Sequence, residues 1–121
     1  MFRLSNHFEG EVVEVTTKKP KPSYAPVYAA ALYPELATIF KGHGYALAVH
    51  GSLQRDLDLV AIPWIECPTP IDTVLGIITT KFAIRLIGKP DCSKPHGRVA
   101  YTISVGHGEC AIDLSVMPLS R

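Results

Sequence analysis

Three aspartates carry the clearest chemical signal in the chain. Asp56 and Asp58 stand two apart in Arg55-Asp56-Leu57-Asp58-Leu59, and Asp113 stands alone in Ala111-Ile112-Asp113-Leu114-Ser115-Val116. Strand side chains alternate in direction, so an extended Asp56–Asp58 segment projects both carboxylates from one face. Two like charges side by side repel each other. A divalent cation, or a phosphate on the open amides of the adjoining Gly51-Ser52 turn, gives that arrangement a purpose. Oxygen donors of this kind suit Mg²⁺ or Mn²⁺ rather than zinc. Asp113 interrupts an otherwise apolar strand, where an isolated charge is costly to bury, so it needs a partner. The expectation is one shared metal site made by Asp56, Asp58 and Asp113.

Cations frame this acidic set. Arg55 sits between the turn and the carboxylates, where it binds a phosphate or neutralises Asp56 in a surface pair. Lys94-Pro95-His96-Gly97-Arg98 offers two permanent cations and a titratable imidazole before a strand, which is either a triphosphate or RNA-backbone clamp or a solvated loop. His50 ends an apolar run and reads as a core-edge histidine rather than a metal ligand. Trp64, at the end of a strand, reads as packing rather than as a stacking platform. His43 and His107 lie in glycine turns without zinc-ligand spacing.

The elements that must position these groups are legible from periodicity. Apolar residues recur at helical spacing over 26–41, with Gly42 and Gly44 as stop signals and Pro34 as an interruption that implies a kink or two short helices. Tyr45 to His50 is a compact apolar run bounded by glycines, as in a buried strand. Leu57, Leu59 and Ala61 alternate with Asp56, Asp58 and Val60, which predicts a second strand. Pro68-Thr69-Pro70 introduces a helix over 71–80. Strands follow at 82–87, 99–105 and 110–117, with turns at Gly88-Lys89-Pro90 and Gly106-His107-Gly108. The class is α/β in the α+β sense, a mixed sheet of about five strands with two or three helices.

The totals bound the rest. The chain has 121 residues and a formal net charge of +1, enough for one domain and too near neutral for a global pull toward nucleic acid or membrane. Residues 1–22 end in Lys18-Lys19-Pro20-Lys21-Pro22, an exposed arm in which Val12, Val13 and Val15 offer at most a short edge strand, and residues 23–121 form the domain. Apolar runs fall far short of the ~20 residues of a membrane-spanning helix. Met1 to His7 lack the features of a secretory signal, so a cytoplasmic location is expected. Cys67, Cys92 and Cys110 are too widely spaced for a zinc ribbon and odd in number, which predicts reduced thiols.

The run from Val49 to Leu59, VHGSLQRDLDL, resembles the signature of the polymerase-beta-like nucleotidyltransferase superfamily. That signature is a hydrophobic residue, Gly-Ser or Gly-Gly, Asp-x-Asp on the next strand, and a third Asp on a later strand. The resemblance covers roughly residues 26–117. It implies a minimal nucleotidyltransferase-like fold in which Gly51 and Ser52 cradle phosphates, Asp56 and Asp58 hold both Mg²⁺ ions, and Asp113 serves nearest the attacking hydroxyl. It also implies a nucleoside triphosphate substrate and an acceptor that is nucleic acid or protein. The strings HGSLQRDLDLVAIPW, KPHGR and IDLSVMP are more narrowly similar to small proteins of tailed phages and prophages, which would place the protein in the host cytoplasm. They admit a rival expectation: a non-catalytic phage-encoded protein that sequesters a nucleotide or blocks a host defence protein.

Overall fold

The computed structural model describes residues 23–106 and 110–119. The arm with its valines, and His107 and Gly108 of the last glycine turn, lie outside the described residues. The chain runs through two short helices, α1 (Ala25–Ala31) and α2 (Tyr33–Gly42), then strands β1 (Tyr45–His50) and β2 (Leu57–Pro63). Helix α3 (Ile71–Lys81), strand β3 (Arg85–Asp91), a single 3₁₀ turn (Pro95–Gly97), β4 (Val99–Ser104) and β5 (Ala111–Val116) complete it. Over the described residues the fold is thus mixed α/β, a five-stranded mixed sheet with three α-helices.

Of the two outcomes open at Pro34, the chain takes two helices: Pro34 occupies the first turn of α2, where its missing N–H leaves no hydrogen bond unmade. The Leu32 N–H still bonds the Tyr28 carbonyl at 2.9 Å, which keeps the two helices in close sequence. Helix α3 starts after Pro70, as expected, and buries Val74, Leu75 and Ile78.

The sheet order is β1-β2-β5-β4-β3, with β2 and β5 parallel and every other pair antiparallel. Alternation along the central strands sorts residues into two sets. Leu57, Leu59, Ala61, Ile112, Leu114 and Val116 join Leu36, Phe40, Val74, Leu75 and Ile78 of the helices in one core cluster. Asp58, Val60, Asp113 and Ser115 therefore face the other way. The helices cover one side of the sheet, and the acidic residues lie on its uncovered side.

Two expectations about strands fail. Phe82 and Ala83 precede β3, because the Phe82 N–H still bonds Ile78 at the end of α3. Gly88-Lys89-Pro90 is not a turn but part of β3, whose register against β4 shifts between Ile87 and Asp91. A bulged edge strand tolerates proline, since an N–H there would point to solvent. All of β3 is exposed.

At the opposite edge, the Tyr33 hydroxyl donates to the Leu47 carbonyl at 2.6 Å, tying α2 to β1. Tyr33→Phe is expected to destabilise the protein by about 1 kcal/mol, measured by chemical denaturation, with no effect on ligand binding. No helix among the described residues is long and apolar enough to cross a membrane. Cys67 and Cys92 are exposed and Cys110 is buried, and no disulfide joins them.

Candidate functional site

The parallel pairing of β2 with β5 sets Asp58 directly beside Asp113. The pairings on either side extend the row, placing His50 opposite Asp58 on β1 and Thr102 opposite Asp113 on β4. These four side chains border a cleft of about 330 Å³ on the uncovered side of the sheet. Its other wall comes from β3, which contributes Lys89, and from the β3–β4 connection, which contributes Lys94 and Arg98. The cleft is therefore acidic on one flank and cationic on the other.

Each flank is locally built. Asp113 is half-buried, and that desolvation pushes its carboxyl above the usual range. The neighbouring charges of Asp56 and Asp58 and a hydrogen bond with Asp58 raise it further, while Lys94 opposes the rise. On the cationic flank, Asp91 accepts hydrogen bonds from the Ser93 hydroxyl at 2.6 Å and its amide at 2.9 Å. Those bonds, with Lys94 close by, hold the Asp91 carboxyl below its usual range. Lys94 lies 3.7 Å from Asp91, an exposed pair of small energetic worth that nonetheless restrains the lysine at the cleft mouth. Arg98, just before β4, reaches the neighbouring strand β5, and its Nη1 donates to Ser115 Oγ at 3.1 Å.

The residues anticipated from sequence divide between this cleft and its surroundings. Asp58, Asp113, Lys94 and Arg98 line it. Asp56 lies one residue before β2 rather than on it. Its Oδ1 accepts the Ala111 N–H at 2.9 Å, so it anchors the start of β5 from the rim of the site. Arg55 is half-buried and Ser52 exposed, and neither borders the cleft. Gly51 contributes by closeness: at φ +79 its backbone passes so near Asp58 that an added Cβ would collide with Oδ2. His96 has φ 66 in the 3₁₀ turn and is exposed outside the cleft, between the two cations that do line it.

Two readings made from the sequence need correction. His50 is not buried at a core edge but exposed beside Asp58. Trp64 is not packed; the residue is 62% exposed. Lys89, Asp91, Thr102 and Ser115 belong to the cleft and were not anticipated. Ser115 was accessible in principle, being two residues after Asp113 and so on the same face. Thr102 and Lys89 depend on pairings that local sequence does not specify.

Among the described residues, no three His, Cys, Asp or Glu side chains converge as a self-sufficient metal cage. Asp58 and Asp113 remain as an in-register carboxylate pair facing three cations. Chemically, such a pair suits a hard cation that keeps water or phosphate oxygens in its shell. No protein-family model matches the chain, and no curated protein matches it.

Proposed function

We propose that this chain is a minimal nucleotidyltransferase-like protein that binds Mg²⁺ or Mn²⁺ together with the phosphates of a nucleoside triphosphate. The observation that carries the reading is the two-sided cleft: the Asp58–Asp113 pair on one flank, with Lys89, Lys94 and Arg98 on the other. A metal–triphosphate has matching polarity, its cation toward the carboxylates and its phosphate oxygens toward the ammonium and guanidinium groups. The mixed sheet with its aspartates on adjacent strands is compatible with the nucleotidyltransferase-type fold.

In this reading Asp58 and Asp113 would hold the cation, which would supply Lewis-acid polarisation of the phosphate. Arg98, steadied by Ser115, and Lys94, steadied by Asp91, orient the phosphate chain and offset charge that develops on it. An acceptor hydroxyl of nucleic acid or protein would form a bond to the α-phosphorus, losing its proton to solvent, as the bond to the departing pyrophosphate breaks. One observation favours the rival reading, a non-catalytic protein that binds a nucleotide without transferring it. An oxygen of the third aspartate, Asp56, is engaged by the backbone of β5, so the cleft itself presents two of the three carboxylates.

The test is calorimetric titration of wild type and Asp58→Ala with each nucleoside triphosphate in Mg²⁺ or Mn²⁺, paired with an assay for released pyrophosphate. Wild type is expected to bind at least one metal–triphosphate, and Asp58→Ala to bind it at least tenfold more weakly, a loss of about 1.4 kcal/mol. Equal affinities would refute the site. Binding without pyrophosphate release across candidate acceptors would select the rival reading.

A further inference from the structure

The acidic row shares its sheet face with an apolar strip. Across β1 and β2, Ala48 pairs with Val60 and Ala46 with Ile62, directly beyond the His50–Asp58 pair. The Trp64 N–H then bonds the Gly44 carbonyl at 3.0 Å, carrying the pairing one step past the strand end. Val60 and Ile62 share the face of Asp58, and Trp64 follows at the same spacing.

The strip has a shape. On β1 it presents only Ala48 and Ala46, both exposed, which scarcely rise above the backbone. On β2 the larger Val60 and Ile62 stand beside them as a wall. At the far end the Ile65 side chain packs against Gly44, 2.6 Å from where a Cβ would be. The near end opens onto His50 and Asp58. Ile62 and Trp64 are 43% and 62% exposed, respectively, so nothing among the described residues covers the shelf.

The occupant follows from size and from what lies at the open end. From the level of Asp58 to that of Ile62 is four strand residues, roughly 13 Å. Two strands wide, the shelf offers on the order of 100 Å², far below the about 800 Å² per partner of a stable protein interface. It is continuous with a cleft whose charges suit a metal-bound phosphate chain. A ligand matching both parts is charged at one end and carries a planar, largely apolar ring at the other.

We propose that the Ala46, Ala48, Ile62 and Trp64 shelf seats the base of a nucleoside triphosphate whose phosphates lie in the cleft. This rests on the reading of the cleft given above. The base lies over the alanines with its edge against Ile62, and Trp64 contributes the aromatic surface.

Trp64 is the one tryptophan in the chain, so its fluorescence reports on the shelf alone. Titrations with Mg²⁺ and ATP, GTP, CTP or UTP are compared with Mg²⁺ and inorganic tripolyphosphate, which has no base. At least one nucleotide is expected to change Trp64 emission and to bind more tightly than tripolyphosphate, which binds without that change. Trp64→Ala is expected to weaken nucleotide binding about tenfold and leave tripolyphosphate affinity as it was, measured by calorimetry. Ile62→Ser is expected to act in the same direction with the fluorophore intact. Equal affinity for nucleotide and tripolyphosphate, or no response to Trp64→Ala, would overturn the shelf and leave the cleft standing. Binding of neither would overturn both. A concentration-dependent dimer that Trp64→Ala dissociates would place a second copy on the shelf and overturn the proposal.

Discussion

Asp113→Asn is expected to raise the thermal midpoint of the metal-free protein at neutral pH by about 4 °C, and to abolish stabilisation by a metal–triphosphate. The first effect follows from the register. Asp58 and Asp113 are directly opposed on adjacent strands, and like charges so placed destabilise by up to about 1 kcal/mol, worth roughly 4 °C in a domain of this size. Asparagine keeps the shape and removes the charge. The second effect is ligand linkage: at a hundredfold excess over Kd a ligand stabilises by about 2.7 kcal/mol, and the variant forfeits that contribution with the carboxylate.

The pH dependence has a definite direction. Burial, the charges of Asp56 and Asp58, and the hydrogen bond with Asp58 raise the folded-state value of Asp113 above its unfolded one. The folded protein then holds the proton more tightly than the unfolded chain does. The stability Asp113 contributes is fully present below the ordinary carboxylate value and is lost as pH rises through the raised folded value. Wild type and Asp113→Asn are therefore expected to differ least in acid and to diverge as pH rises to neutrality, as read from denaturation midpoints across a pH series. A constant offset between the two proteins at every pH would show that Asp113 titrates as it does in the unfolded chain.

Gly51→Ala is expected to cost about 2 to 3 kcal/mol, the sum of forcing a side chain into left-handed backbone and of displacing a neighbouring group. Gly51 has φ +79, and its added methyl would meet the Asp58 carboxylate itself, the end of a short side chain that is already paired. Asp58 must turn away or the turn must open. Either movement also removes the in-register pair from the cleft, so metal–triphosphate binding should fall along with stability. Gly42→Ala is the matched control: no atom lies within 4 Å of its added Cβ, and the residue ends α2. Denaturation and titration of the two variants separate the outcomes. A Gly51→Ala protein as stable as wild type and still ligand-competent would mean that Asp58 needs no close backbone beside it.

Much of this architecture is written locally. Apolar periodicity and glycine stops determine α2 and β1, proline placement determines where α1 gives way to α2 and where α3 begins, and alternation determines that Asp58 and Ser115 turn away from the core. The types of the candidate site residues are equally local. An aspartate in the middle of Ala-Ile-Asp-Leu-Ser-Val states that something must compensate it, whatever the fold.

Strand pairing supplied the rest, because register is a relation between segments far apart in the chain. It set Asp58 beside Asp113, brought His50 and Thr102 to the ends of the same row, and left Asp56 at the head of β5, bonded to the backbone of Ala111. It also turned Gly88-Lys89-Pro90 from a turn into an edge strand that delivers Lys89 to the cleft. That His50 and Trp64 stay in solvent was decided by the helices, which cover the other face of the sheet. Sequence determined the chemistry each residue can offer and the face it takes on its own strand. Only the tertiary structure decided which of those residues share a cleft, since a period-two pattern orients side chains along one strand and says nothing about the neighbouring strand.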